Sequence, residues 1–210
     1  MPAWNEAKVI NKTISILLKS DYENIEIIVV DDGSKDNTFE KAKKHFGDNP
    51  KVKIFRRERN YGKSSALNFA LTKSTGEVIV IQDADTILRK DAISKLVRRF
   101  RNERVGAVAG NAKVGNRINF WTKLQALEYI ISKNMDRRAF DMLNCVTVVP
   151  GALGAWKKDL ILEAGGFTSD TLAEDAELTL RILKLGYRIE YEEEAVAYTE
   201  APENLRVFLK

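Results

Sequence analysis

Two aspartates one residue apart, Asp83-Ala84-Asp85, follow directly on the apolar run Val78-Ile79-Val80-Ile81. A short β-branched run of this kind reads as a buried strand. The carboxylates then emerge at its C-terminal end, the edge at which open α/β sheets bind ligands. Two close carboxylates repel, and a divalent cation that also meets phosphate oxygens relieves that repulsion. A second acidic pair, Asp31-Asp32, ends a second apolar run over residues 25–30. If the two strands are parallel, both acidic pairs lie on one edge of one sheet.

The remaining segments fit this frame. Val9, Ile10, Ile14, Leu17 and Leu18 recur at helical spacing with Asn5 as a candidate cap, and Asp36 can cap a helix over residues 37–46. Strands are predicted over 52–55, 105–109, 146–149, 188–191 and 195–198, and helices over 64–72, 91–101 and 174–185, the last stopped by Gly186. The stretch 118–146 is amphipathic and long. A helix packed on the sheet accounts for it, and a helix lying on a membrane surface is the alternative. Alternation of strands and helices predicts an α/β fold: a mostly parallel sheet with helices on both faces. At 210 residues the chain suits one domain.

Composition removes several chemistries. Cys145 is the only cysteine, which leaves no intrachain disulfide and no cysteine metal cluster, and its apolar neighbours predict burial. His45 is the only histidine and sits in the basic run Lys43-Lys44-His45 at a helix end, so a Ser-His-Asp triad and a histidine zinc site are set aside. The net charge of +4 is modest, and no nucleic-acid-binding module is visible. The basic clusters Arg56-Arg57-Glu58-Arg59 and Arg98-Arg99-Phe100-Arg101 read as solvated faces. No apolar run is long enough to span a bilayer, and no signal peptide is visible.

Each remaining motif has two readings. Asp31-Asp32-Gly33-Ser34 is either a strand-ending turn or a binding loop. Asn60-Tyr61-Gly62-Lys63-Ser64-Ser65 ends like a P-loop, but the first glycine of that motif would fall at Arg57. A glycine turn and a lysine at a helix start remain, which can hold phosphate. Glu174-Asp175 is either an N-terminal charge pair on a helix or a carboxylate base near a hydroxyl. The small residues of Pro150-Gly151-Ala152-Leu153-Gly154 allow close approach to a ligand, and Trp156 is either core or a platform for a sugar face.

Taken in order, these motifs are far more specific than any one of them. Pro2-Ala3-Trp4-Asn5-Glu6, Asp31-Asp32-Gly33-Ser34, Asn60-Tyr61-Gly62-Lys63, Asp83-Ala84-Asp85, Pro150-Gly151-Ala152-Leu153-Gly154 and Glu174-Asp175 together resemble family 2 glycosyltransferases of GT-A fold. The resemblance is closest to the processive synthases of β-linked polysaccharides, and Leu172-Ala173-Glu174-Asp175 favours the poly-N-acetylglucosamine branch. It implies an inverting transferase using a UDP-sugar donor, a saccharide acceptor and Mg2+ or Mn2+, with residues 1–110 as the nucleotide-sugar half and 111–210 as the acceptor half. By the same resemblance Pro2, Ala3 and Glu6 line the nucleotide pocket, Asp32 meets the uracil and Lys63 stands beside the nucleotide. Asp83 serves ribose and metal, Asp85 is the metal ligand, and Asp175 is the base. Gly151, Ala152, Gly154, Trp156 and Glu174 fall on the acceptor side.

Two departures carry expectations of their own. The family's apolar strand before Pro-Ala-x-Asn-Glu has no counterpart ahead of Pro2, which predicts a gap between the strand at 25–30 and the strand at 78–81. The Gln-x-x-Arg-Trp motif and flanking membrane helices are also not in the sequence, although Glu200-Ala201-Pro202 is. The resemblance thus implies the catalytic domain of a synthase that works at the cytoplasmic face of the cell membrane.

Overall fold

The computed structural model describes residues 1–143, 145–168 and 174–204. Two sheets carry the fold. The first is parallel, in the order β1 (Pro2–Ala3), β2 (Ile27–Asp31), β3 (Val52–Arg56). The second is mixed. In chain order its strands are β4 (Val78–Ile81), β5 (Ile87–Leu88), β6 (Val105–Val114), β7 (Gly154–Lys157) and β8 (Arg188–Thr199), and in space they run β4-β7-β6-β8-β5. Only the β6–β8 pair is parallel there, so the expected parallel pairing holds throughout the first sheet and for β6–β8, and the remaining pairs are antiparallel.

Helices α1 (Ile10–Leu17), α2 (Thr38–Phe46), α3 (Lys63–Lys73) and α4 (Ala92–Arg99) follow the expected order. The core beneath them joins Ile10, Ile14 and Leu17 of α1 to Val29, Leu96 and Val108. A second core gathers Leu67, Leu71, Trp156, Leu178 and Ile182. After β6 come α5 (Phe120–Ile130), a π-helical turn (Ile131–Met135) and α6 (Asp136–Met142), then α7 (Lys158–Glu163) and α8 (Glu174–Lys184). The positive φ of Gly186 ends the last helix, as expected from its sequence.

β2 and β4 are not paired with each other. Between them runs a cleft of about 760 Å³ whose walls include Met1, Ile27, Ile28, Val78, Val80 and Phe100. The expected gap is therefore present, closed at one end by the first three residues. Met1 donates its amino group to Ile28 O at 2.9 Å, Val30 N–H donates to Met1 O at 3.0 Å, and Asp32 N–H donates to Ala3 O at 2.9 Å. These bonds anchor Pro2 and Ala3, against the expectation that the gap would leave them loose.

Other expectations need correction. Residues 146–149 form no strand, and the strand in this region is β7, immediately downstream. Cys145 is exposed. Residues 188–199 make one strand whose register against β6 shifts between Gly110 and Asn111, where the Asn111 side chain donates to Glu193 O at 2.8 Å. Asn5 does not cap α1. It has a positive φ and accepts from Lys35 N–H, tying the 4–7 segment to the 32–38 loop. The basic pair Arg98–Arg99 stays partly solvated as expected, and both side chains also converge on Glu192, which is 1% exposed. Burial pushes the Glu192 carboxyl up, and its Arg99 and Arg98 partners outweigh that and hold it below the usual range. In α5 the buried residues are Thr122 and Ala126, whereas Phe120, Leu124 and Leu127 are exposed.

Candidate active site

The sheet ends bring the motifs to one edge. The β4 strand stops at Ile81, and the chain turns so that Ala84 is buried while Asp83 and Asp85 stay half-exposed. Alternation of side chains past a strand end puts both carboxylates on the open side. The turn is held from below by Thr13 of α1, whose hydroxyl donates to Ala84 O at 2.7 Å. Thr86 N–H closes it on Asp83 O at 3.1 Å. Burial and then the neighbouring Asp83 push the Asp85 carboxyl up. Burial first, then Asp85, Asp36 and Asp83, do the same to Glu6. Glu200 adds to both from the returning 200–203 segment. That segment is bound to the region around α5 by the Asn116–Ala201 pair and by Gln125 donating to Pro202 O.

Lys63 opens α3 and reaches into this basin. Its ammonium lies 2.7 Å from Asp83 Oδ1 and 3.4 Å from Glu174 Oε1. Burial would lower the Lys63 pKa, and Asp83 and Glu174 outweigh it and raise it. The lysine thus links the strand-end acids to the start of α8. Asp175, the next residue, accepts from Gly151 N–H at 2.8 Å, and its backbone carbonyl accepts from the Thr179 hydroxyl. Thr179 in turn accepts from Val149 N–H at 3.1 Å. The 149–151 segment is therefore fastened to α8 at two points. A Cβ on Gly151 would stand 2.8 Å from Lys63 Nζ, so this glycine lets the loop, the lysine and Asp175 crowd together.

Asp32, which the resemblance sets against the uracil, already has partners within the chain. It is 3% exposed, accepts from Tyr61 N–H and Gly62 N–H at 3.0 and 2.9 Å, and meets Arg57 Nη1 at 3.0 Å. It holds the 57–62 turn in place. Gly33, at φ +70°, permits that turn to pass, since a Cβ there would fall 2.4 Å from the Arg59 carbonyl carbon. On the acceptor side Trp156 is fully buried against Phe167 and is core, not a sugar platform. Gly154 is likewise a packing residue, because a Cβ would strike the Trp156 ring at 2.3 Å. Ala152 stays half-buried on the loop, and Glu174 is turned to Lys63.

Three residues were missed from sequence. Trp4 is half-exposed next to Ala3 in the chain, and Tyr61 is exposed with Arg57 and Arg59 stacked on it. Their position inside the quoted motifs was the available signal. Arg137, buried in α6, carried none.

A divalent ion fits the strand-end acids. Among the described residues no three acidic, histidine or cysteine side chains converge as a complete cation cage. Asp83 is paired with Lys63, and among the described residues Asp85 meets no cation at ion-pair distance; two such carboxylates suit a cation that completes its shell with phosphate oxygens.

Residues 1–160 match the sequence profile described as "Glycosyl transferase family 2", and the chain belongs to that family. Among curated relatives, the poly-beta-1,6-N-acetyl-D-glucosamine synthase of Staphylococcus aureus (strain COL) is 31% identical over 206 residues, 98% of this chain and 50% of the relative. The Staphylococcus epidermidis synthase is 29% identical over the same shares. The chain thus spans about half the length of the curated relatives it matches. Among solved structures, a mannosyltransferase from Pyrobaculum calidifontis in complex with GDP-Man and Mn2+ superposes with a TM-score of 0.79 at 26% identity, covering 97% of this chain and 56% of that one. Staphylococcus aureus TarS in complex with UDP-GlcNAc gives 0.71 at 19% identity, covering 97% and 58%, a likeness of fold.

Proposed function

We propose that this chain is the catalytic domain of an inverting transferase that moves N-acetylglucosamine from UDP-N-acetylglucosamine to a growing β-linked polysaccharide. One observation carries the reading: Lys63 spans from Asp83 to Glu174, so the acids that suit a metal–diphosphate and the Asp175 carboxylate share one site. In this reading residues 1–110 hold the donor and residues 111–210 the acceptor.

Asp83 and Asp85 would hold Mg2+ or Mn2+, which when bound offsets charge developing on the departing UDP. Lys63, beside Asp83 at the start of α3, would take a phosphate oxygen. Pro2, Ala3 and Glu6 form the wall of the nucleotide pocket beside Trp4. Asp32 acts by fixing the turn that carries Arg57 and Tyr61. Asp175 removes the proton from the acceptor hydroxyl as that oxygen attacks the anomeric carbon from the face opposite UDP, and a single displacement inverts an α-linked donor to a β product. Positioning and electrostatics supply most of the effect.

The named synthases of Staphylococcus support the N-acetylglucosamine donor and polymer product. Among the described residues no helix is long and apolar enough to cross a membrane. The exposed apolar row of α5 and α6, from Phe120 to Met142 at 88% exposure, supports contact with a membrane at its cytoplasmic face or with segments lying there.

Calorimetric titration tests the donor and metal assignments. UDP-N-acetylglucosamine with Mn2+ or Mg2+ is expected to bind, and UDP-glucose and GDP-mannose more weakly. Equal affinity for all three, or none without regard to metal, overturns the reading. Asp85→Ala is expected to remove the metal-dependent part of UDP binding, a loss of at least tenfold, while the melting temperature stays within a few degrees. Parental affinity in the presence of metal would show that Asp85 is not a ligand.

A further inference from the structure

Thr13 places a buried hydroxyl at the centre of α1, behind the acidic turn. It is 1% exposed. A threonine inside a helix often turns its hydroxyl back on the carbonyl four residues earlier. Here that carbonyl, Val9 O, lies 3.2 Å away and already accepts from Thr13 N–H at 3.0 Å. The shorter contact, 2.7 Å, runs to Ala84 O, 71 residues along the chain. A hydroxyl has one proton to give, and the shorter bond takes it.

The place of that bond decides what it does. Ala84 O belongs to the peptide plane that ends at the Asp85 Cα. Fixing this oxygen therefore fixes the direction in which the Asp85 side chain leaves the turn. Asp83 is set from the other side, because Thr86 N–H donates to Asp83 O at 3.1 Å and β4 pairs with β7 up to Ile81. The two carboxylates stay half-exposed on a backbone that is held from beneath.

The helix can serve as a fixed point because its own start is tied down. Ile10 and Ile14 are fully buried, and Glu6 O accepts from Val9 N–H and Ile10 N–H at 3.0 Å. Three successive N–H groups ahead of the helix are taken by one loop. Asn5 N–H donates to Ser34 Oγ at 2.9 Å, Glu6 N–H to Thr38 Oγ1 at 2.8 Å and Ala7 N–H to Asp36 Oδ2 at 3.1 Å. Asn5 is the one non-glycine residue with positive φ among the described residues, at 60°. Such a conformation persists where its surroundings over-determine it. The segment beside the nucleotide pocket and the turn that carries the two acids are thus fastened to one rigid helix.

We infer that Thr13 is a positioning residue for the divalent-ion site: its hydroxyl holds the turn so that Asp83 and Asp85 keep the span a small cation needs. This rests on the metal assignment proposed above. A turn without the bond retains both carboxylates and loses their fixed span. Mg2+ demands near-ideal octahedral geometry and Ca2+ accepts a looser shell, so the loss falls on the smaller ion.

The test titrates Mn2+ into the chain with UDP and reads the free ion by its EPR signal, with Mg2+ and Ca2+ ranked by competition. Thr13→Val keeps the shape and removes the donor. It is expected to weaken Mn2+ and Mg2+ by about tenfold, the lower end of what partners behind metal ligands are worth. Ca2+ is expected to change by no more than about twofold, so the preference for Mg2+ over Ca2+ narrows. Calorimetry with UDP and no metal is expected to give parental affinity. Thr13→Ser restores the donor and is expected to recover the parental ion affinities. Should the valine variant fail to fold, Thr13→Ala, a better helix former, is read in the same way. A hydroxyl that serves only the packing of α1 would lower the melting temperature and leave the Mn2+ affinity and the ion ranking at parental values. That result, or a serine variant as weak as the valine one, overturns this inference alone. A parent that binds no Mn2+ in the presence of UDP overturns the metal assignment and this inference with it.

Discussion

Asp175→Asn is expected to bind UDP-N-acetylglucosamine as the parent does and to lose transfer by about 10²- to 10⁴-fold, the usual worth of a positioned general base. The geometry explains why binding survives. Asp175 Oδ2 accepts from Gly151 N–H, and an asparagine carbonyl oxygen can accept the same bond, so the 150–154 loop keeps its fastening to α8. The Thr179 hydroxyl donates to the backbone carbonyl of residue 175, which the substitution does not touch. Lys63, Asp83 and Glu174 keep their contacts. An amide cannot take up the acceptor proton, so the loss falls on kcat. Stopped-time transfer assays alongside calorimetry check this. Transfer at the parental rate would remove Asp175 from the role, and an equal loss of donor affinity would make it a structural member of the loop. Measurement belongs in a chain shown to transfer sugar, including a longer one that contains this domain.

The sequence signalled the parts of this site that depend on local pattern. A β-branched run followed by Asp83-Ala84-Asp85 determines both strand and carboxylate placement, because side chains alternate and the strand must end where polar residues begin. The glycine turn before Lys63 and the acidic start of α8 are equally local. What escaped were features decided by long-range pairing. The run Cys145-Val146-Thr147-Val148-Val149 is a better strand by composition than β7, yet β7 is the segment that fits between β4 and β6. Trp156 is drawn into the core because it lies on β7 facing Phe167, Leu178 and Ile182. For Asp32 nothing local revealed that Arg57 and two backbone N–H groups, 25 to 30 residues downstream, would engage it. Arg137 is the clearest case. It stands in the charged run Asp136-Arg137-Arg138 within the amphipathic stretch, and its burial comes with the docking of α6 onto β8.

The slot between β2 and β4 leads to the largest expected change in stability. Extending the chain ahead of Met1 by about five apolar, β-branched residues, a usual strand length, is expected to raise the melting temperature by at least 5 °C, on the order of 2 kcal/mol for a domain of this size. The parallel register Pro2↔Val30 and Ala3↔Asp31 already points the chain into the slot, where the next β2 groups in line are the Ile28 N–H and the Glu26 carbonyl. Added residues would pair there and bury apolar side chains against Ile27, Val78, Val80 and Phe100. Each well-buried side chain contributes roughly 1.5–3 kcal/mol, against roughly 1–2 kcal/mol of backbone ordering per residue. The Met1 amine adds a separate effect. Burial lowers its pKa from 8.0 to about 5, so at neutral pH the folded form holds it uncharged while the unfolded form is largely protonated. A lowered amine pKa gives stability that is fully present above pH 8 and is lost as pH falls toward 5. The slope amounts to at most about 4 kcal/mol over that window, at 1.36 kcal/mol per pH unit. Extension converts the amine to an amide N–H that donates to Ile28 O without titrating, so the extended chain is expected to lose this slope as well as melt higher. Better anchoring of Pro2, Ala3 and Glu6 should also tighten UDP binding several-fold. Denaturant melts at pH 5, 6.5 and 8 on both chains decide the matter. An extension that leaves the melting temperature and the pH slope unchanged would mean that β2 and β4 do not accept a strand between them.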